Sequence, residues 1–448
     1  VKEYIDGLCL VMLHLLNKQN EWKYLQKNCV IVKIIVFLQN IRLFNNRMKL
    51  IHKSYKFRIS PDNEQKILLS KHFGATRFVF NRYLNSRKET YLEEKKSLNY
   101  YDNANDLTKL KKEEEFVWLK EINSQSLQSS LRNLDTAYNK FFRKQTQFPR
   151  FKSKYDRQSF TVPQSVTIEE GKLSIPKFKK GIDINIHREI EGKLLFATIS
   201  KSTTGNYYVS ITCEVEYTPF EKTNSKIGID TGIKDLAILS DGKVYENIKT
   251  LKTNLKKLKY EQRQLSKKTK GSNSRLKQKS KLARVHEKVT NIRKDYLHKV
   301  STEIVKNHDV ICIEDLAVKN MMKNHKLAQA FSDVSLGTFY TMLEYKANWN
   351  DKVVVKIDRF FPSSKTCNVC NYINQDLTLK DREWTCPSCN TIHDRDFNAS
   401  INIKKQGLKI LSCGSGIDSQ DKQKRSKALP LGESVTSEAH HIGSAVGG

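Results

Sequence analysis

Four cysteines carry the clearest chemistry in the chain: Cys367-x-x-Cys370, fifteen intervening residues, then Cys386-x-x-Cys389. Two such knuckles bring four thiolates to ~2.3 Å from one Zn²⁺ ion in a tetrahedral shell, which leaves no open position for a substrate. The spacing predicts a closed, structural zinc site. Two redox dithiols are the competing reading, and the cysteines have no thioredoxin-like βαβ pattern around them to favour it. His393 lies four residues beyond Cys389, but four thiolates already complete the shell, so it is read as a bystander.

Three carboxylates stand at unusual places. Asp230 ends the apolar run from Ile227 and precedes Thr231-Gly232; Glu314 ends the run Val310–Ile313; Asp396 opens "DFNASINI". A carboxylate beside a buried strand is costly unless it is paired or metal-bound. Three of them from three elements are what a pair of Mg²⁺ ions ~3.5–4 Å apart requires, one activating water and the other stabilising the leaving oxygen of a phosphodiester. Taken singly, each has an ordinary reading: Asp before Thr-Gly is a turn, and Glu-Asp after a strand is a helix cap. The choice turns on the elements that surround them.

Those elements are legible from periodicity. From Lys226 the pattern gives three short strands, Ile227–Asp230, Leu236–Leu239 and Val244–Tyr245, with turns at Gly232 and Asp241-Gly242. A long helical hairpin follows, with Leu251, Leu255, Leu258 and Leu265 in one stripe, a break at "GSNS", and Leu282, Val285, Val289, Ile292 and Leu297 in the other. Next come a buried parallel strand in "DVICIEDL", a helix near Leu336–Trp349, a strand Val353–Ile357 and a short helix Asp396–Lys405. This βββ-α-β order is that of a ribonuclease H-like nuclease, and it turns the conjunction of three acids towards catalysis. "HDRDFNASINI" also offers Asp394, but residues two apart at a helix start point to different sides. Asp396 is in phase with Ala399, Ile401 and Ile403, so it is taken as the site residue and Asp394 as a solvent-side neighbour of the cysteines.

Upstream, Tyr55, Phe57 and Ile59 alternate as a strand closed by Pro61, and residues 62–146 have helical spacing. Their middle, charged and Asn-rich, reads as a loop and a solvated helix. "KLSIPKF", "IDINIH", "KLLFATISK" and "YYVSITCEVEY" then read as antiparallel strands, the last two joined at "TTGN". A small barrel or sandwich with an inserted helical block is expected. Residues 1–47 are apolar without cap or turn logic, either an ordinary helical extension or a segment translated from upstream of a functional start at Met48; residues 411–448 are expected to be disordered.

The 448 residues carry 79 Lys or Arg against 48 Asp or Glu, a net +31. An excess of that size marks a polyanion binder. It concentrates in residues 249–299, where 18 cations face Glu261, Glu287 and Asp295, and such a hairpin repels itself unless a nucleic acid lies along it. "FFRKQTQFPRFKSKYDR" interleaves Phe141, Phe142, Phe148, Phe151 and Tyr155 with cations, as a groove for stacked bases and phosphates would; a helix end with core aromatics is the alternative. The apolar runs Leu8–Leu16 and Val30–Leu38 are too short for a membrane span. An odd nine cysteines, four of them in knuckles, suits a reducing compartment, so a cytoplasmic, nucleoid-associated protein is expected.

Five motifs in order, "GIDTGIKDLAILSDG", "ICIEDLAVKNM", "FPSSKTCNVC", "CPSC" and "HDRDFNASINI", closely resemble the TnpB family, the OrfB proteins long called transposases of small insertion sequences. "KSYKFRISPDNEQ" and "RFVFNRYLN" resemble that family's opening, so the likeness runs from about Met48 to Lys405, with "NAS" where many members have "NAA". The resemblance implies an RNA-guided DNA endonuclease related to the ancestors of type V CRISPR effectors. It implies a multidomain α+β chain: a wedge-type β-barrel domain (48–61 and 156–222), an inserted helical recognition domain (62–155), a RuvC-like nuclease domain (223–358 and 391–410) and an inserted Cys₄ zinc ribbon (359–390). Asp230, Glu314 and Asp396 become the Mg²⁺-binding catalytic set, and Cys367, Cys370, Cys386 and Cys389 the Zn²⁺ ligands. The implied partners are a guide RNA from the transposon end, double-stranded target DNA with a short adjacent motif, and a separate transposase for mobilisation. A nuclease-inactive, RNA-guided DNA-binding regulator is the alternative, against which the intact acidic set argues.

Overall fold

At Pro61 the apolar period changes from two to between three and four, and the chain passes from strand to helix. The computed structural model describes residues 48–413 apart from 322, 324–327 and 379, so the readings attached to residues 1–47 and to the tail beyond Cys413 lie outside the described residues. The described residues fall into two units, 48–50 with 216–220, and 51–215 with 221–413. In the smaller one, the described residues 49–50 open a strand and 216–217 close another.

Strand β1 (Lys49–Ser60) buries Ile51, Tyr55, Phe57 and Ile59 on alternate positions. Helix α1 (Asn63–Glu94) begins on a reciprocal cap: Gln65 N–H donates to the Asp62 carboxylate at 2.8 Å, and Asp62 N–H donates to the Gln65 side chain at 3.0 Å. Helices α2 (Tyr100–Leu110) and α3 (Ser124–Phe142) complete a helical core of Val79, Tyr83, Leu107, Leu110, Leu127 and Leu131. The stretch expected to be a solvated helix thus lends a buried face, because Leu107 and Leu110 recur at helical spacing within an otherwise polar segment.

The chain then returns to strands: β2 (Gln158–Val162), β3 (Thr167–Glu169), β4 (Lys172–Ser174), β5 (Ile182–Asn185), β6 (Lys193–Lys201) and β7 (Tyr207–Tyr217). Together with β1 they form one seven-stranded sheet in the order β2-β6-β7-β1-β5-β4-β3. The helical block is therefore an insertion between two strands of one sheet.

A second, five-stranded sheet holds the acids. It uses β8 (Lys226–Asp230), β9 (Asp235–Leu239) and β10 (Val244–Glu246), then, after the hairpin α4 (Thr250–Ser266) and α5 (Asn273–Asn307), β11 (Val310–Glu314). Short helices α6 (Val318–Met321) and α7 (Ala328–Val334) lead to α8 (Leu336–Trp349) and β12 (Val353–Ile357). The order is β10-β9-β8-β11-β12, antiparallel through the first three and parallel from β8 to β12. In the α4–α5 seam Leu251 and Leu258 meet Leu282, Val285 and Val289, whereas Ile292, expected on the same stripe, is 41% exposed.

The cysteine lobe contains a small hairpin, β13 (Glu383–Thr385) and β14 (Ile392–Asp394), which runs directly into α9 (Arg395–Ser412). This last helix continues past Lys405, where the sequence reading ends it, because Gly407 and the apolar Ile410 and Leu411 extend its packing face. It lies tightly on the sheet at two glycines. A methyl group on Gly228 of β8 would come within 2.1 Å of the Ser400 carbonyl oxygen, and one on Gly407 within 2.4 Å of Cys312 Sγ in β11. Since the atoms facing Gly228 belong to the helix backbone, Gly228→Ala should lift α9 off the sheet and cost about 3 kcal/mol or more. Thermal unfolding checks this, and a melting temperature equal to the parent's would mean that the helix does not depend on that contact.

Candidate active site and metal centre

Strand pleating places the first two acids. Gly228 faces α9, and a strand alternates its side chains, so Asp230 two residues on points to the same face. In the parallel pairing Cys312 stands opposite Gly228 and Ile313 opposite Ile229, so the next residues, Glu314 and Asp230, lie abreast at the carboxyl ends of adjoining strands. Neighbouring strands are only ~4.8 Å apart. The third acid, Asp396, sits in the first turn of the helix that crosses this face.

Electrostatics register the convergence. Burial, then the charge of Glu314, then that of Asp396 push the Asp230 carboxyl well above the usual carboxylate range, against the opposing effect of Arg395. Burial also raises Glu314, while a hydrogen bond donated by Ser363 Oγ to its Oε1 at 2.5 Å works the other way. Asp396 is gripped by two guanidiniums, Arg382 Nη1 at 2.8 Å from Oδ2 and Arg395 Nη2 at 2.8 Å from Oδ1. Tyr340 closes the side of the site, its hydroxyl 2.6 Å from Thr231 Oγ1. Asp394 is spent elsewhere: it is the cap of α9, accepting from Phe397 N–H at 2.7 Å, and is exposed as the sequence reading has it.

The packing face of α9 differs in one residue from the expected one. Asp396, Ala399 and Ile403 share it, but its fourth member is the fully buried Ser400, and Ile401 is only half-buried. Spacing of three, four and seven selects 399, 400 and 403, whereas 401 is turned aside.

The four cysteines come together as their spacing predicts. Their sulfurs all lie within 4.8 Å of one another, with Cys367 and Cys389 Sγ 3.6 Å apart and Cys370 and Cys386 Sγ 3.5 Å apart. Each knuckle closes on an asparagine with positive φ, Asn371 and Asn390, whose N–H donates to the carbonyl of the knuckle's first cysteine. The Thr391 hydroxyl and N–H hold the Cys389 thiol down to about 6, while burial lifts Cys367 to about 11. His393, read as a bystander, is buried against the cluster, with Nε2 3.1 Å from Cys367 Sγ.

Ser363, Arg382, Arg395 and Tyr340 escape the sequence reading. Tyr340 stands in the apolar period of α8 with Leu336, Leu343 and Ala347, whereas Ser363, Arg382 and Arg395 belong to no such period, and the signal for the arginines is their place within "HDRD" and before the second knuckle.

Residues 210–325 match a model of OrfB insertion-sequence proteins described as "Probable transposase", and residues 337–403 match "Cas12f1-like, TNB domain". A model described as "Helix-turn-helix domain" matches residues 48–96, which here form β1 and one unbroken helix, α1. Relatives named "Putative RNA-guided DNA endonuclease" include one from Streptomyces pristinaespiralis, 40% identical over 84% of this chain and 95% of the relative, and InsQ of Escherichia coli K12, 35% identical over 82% and 95%. The solved complex of Cas12f1 with guide RNA and target DNA has a similar fold, with a TM-score of 0.51 at 13% identity, covering 79% of this chain and 99% of that one. With such identity across nearly the whole length of its relatives, the chain belongs to the OrfB family of insertion-sequence proteins, the TnpB family.

Proposed function

We propose that the chain is an RNA-guided DNA endonuclease whose Asp230, Glu314 and Asp396 hold two Mg²⁺ ions for phosphodiester hydrolysis. The observation that carries this reading is the convergence of three carboxylates from β8, β11 and α9, where burial and then the charges of Glu314 and Asp396 raise Asp230. An all-oxygen donor set suits Mg²⁺, which when bound activates water and stabilises the leaving oxygen. The protein's own part is orientation: Ser363 holds Glu314 and the two arginines hold Asp396. In this reading the five-stranded sheet with α9 is the RuvC-like domain, the seven-stranded sheet the wedge domain, and α1 to α3 the recognition domain. Cys367, Cys370, Cys386 and Cys389 hold one structural Zn²⁺, for which four converging sulfurs are a fitting set.

The nucleic-acid partners follow from the surface. Lys256, Lys257 and Lys259 are exposed along α4, and Phe142, Phe148, Phe151 and Tyr155 are exposed after α3, which suits phosphates on the one and bases on the other. A guide RNA from the transposon end, a target duplex with a short adjacent motif and a separate transposase complete the proposal. No helix of the described residues is long and apolar enough to cross a membrane.

Asp230→Ala, Glu314→Ala and Asp396→Ala should each abolish Mg²⁺-dependent cleavage by the RNA-loaded protein while leaving guided DNA binding intact. Asp394→Ala should keep cleavage and lose about 1 kcal/mol of stability with its cap. Full cleavage by all three alanine variants of the site would sink the two-metal reading. Because Asp230 binds its proton more readily folded than unfolded, stability of the metal-free protein falls as pH rises from about 3.9 through the raised folded value. Asp230→Asn, neutral at every pH, should therefore melt above the parent at neutral pH without divalent cations, and the gap should close in acid. A variant melting no higher than the parent at neutral pH would contradict the clustering of charge. Elemental analysis should find one zinc per chain, and Cys386→Ser should lose it and unfold the lobe at lower temperature; a metal-washed protein with no zinc would end that assignment.

A further inference from the structure

The carboxylate of Glu314 accepts from a side-chain hydroxyl, and that donor belongs to the segment leading into the cysteine knuckle. Ser363 is buried, with its hydroxyl 2.5 Å from Glu314 Oε1 across 49 residues of sequence. A single hydroxyl fixes one lone pair and leaves the other oxygen of the carboxylate for a cation.

Ser363 is itself placed by α9. Asn402 Nδ2 donates to the Ser363 carbonyl at 2.8 Å and to the Thr366 carbonyl at 2.6 Å, and Asn398 Nδ2 donates to the same Thr366 carbonyl at 2.8 Å. Asn398 Oδ1 accepts from Asn368 N–H at 3.0 Å. Thr366 and Asn368 flank Cys367, so the two asparagines grip the backbone on both sides of a cluster cysteine. Both are buried, 1% and 3% exposed, and both lie within two turns of Asp396 on the same helix. Buried amides bonded to backbone groups in this way hold a chain segment in one arrangement, and breaking one leaves polar groups unpaired.

We propose that Ser363 is a positioning residue that turns Glu314 towards the divalent cation, and that Asn398 and Asn402 tie its place to the helix carrying Asp396 and to the cysteine lobe. The proposal rests on the reading of Asp230, Glu314 and Asp396 as the cation site. In it the cysteine lobe does more than add a nucleic-acid surface: its first knuckle sets the orientation of a carboxylate in the site.

The test titrates Mn²⁺, a spectroscopically visible stand-in for Mg²⁺, into the zinc-loaded full-length chain and follows free Mn²⁺ by electron paramagnetic resonance. Ser363→Ala should weaken Mn²⁺ binding about tenfold with zinc content and melting temperature close to the parent's. Ser363→Thr, which keeps the hydroxyl, should restore most of the affinity, and Asn402→Ala should weaken binding in the same direction. In the RNA-loaded protein the Mg²⁺ concentration for half-maximal cleavage should rise in Ser363→Ala, with guided DNA binding unchanged. An unaltered Mn²⁺ titration for Ser363→Ala beside a weakened one for Glu314→Ala would overturn the positioning role and leave the site standing. Unaltered titrations for both would remove the site and the proposal together. Loss of zinc or of cooperative melting in Ser363→Ala would make the residue a packing element and also overturn the proposal.

Discussion

The close approach of the last helix to the second sheet is the contact on which the rest of the structure depends. Gly228 and Gly407 remove the side chains that would otherwise separate α9 from β8 and β11. With no methyl in the way, the helix backbone rests on the strands, and the first turn of α9 comes to the carboxyl ends of β8 and β11, where Asp230 and Glu314 emerge. An added separation of one methyl group would move Asp396 away from the other two acids. The site is thus held by a packing distance, and the strands supply the rest through pleat and register.

That packing carries an electrostatic cost. Three carboxylates gathered around a half-buried position repel one another, and the protein offsets the repulsion unequally. Asp396 is paired with Arg382 and Arg395, and Glu314 accepts a hydroxyl hydrogen bond, while burial and the neighbouring acids raise the carboxyl of Asp230.

The cysteine lobe is joined to this centre at both ends. Its second hairpin strand, β14, ends on Asp394, which caps α9, and Arg395 N–H donates to the Arg382 carbonyl at 2.7 Å, so the strand, the cap and the arginine clamp form one continuous piece. At its other end the approach to the first knuckle runs past Glu314. Four cysteines that could hold a metal ion therefore sit between segments that touch Glu314 at one end and carry Asp396 at the other.

Local pattern determined much of this. The knuckle spacing, repeated as Cys-x-x-Cys-Asn, was enough to bring four sulfurs together, because its geometry is set within a few residues by turns that asparagine favours. Strand alternation and helical phase likewise separated Asp396 from Asp394 and marked the ends of β8 and β11. The same reasoning stumbled where phase alone was too coarse, as at Ile401 on α9, Ile292 on α5 and the buried face of α2. What only the tertiary structure decided is the polar fastening: Ser363 on Glu314, Arg382 on Asp396, and Asn398 and Asn402 on the loop around Cys367. Hydrogen bonds and ion pairs between residues distant in sequence follow no period, and a serine or asparagine shows its partner only when the chain has folded around it.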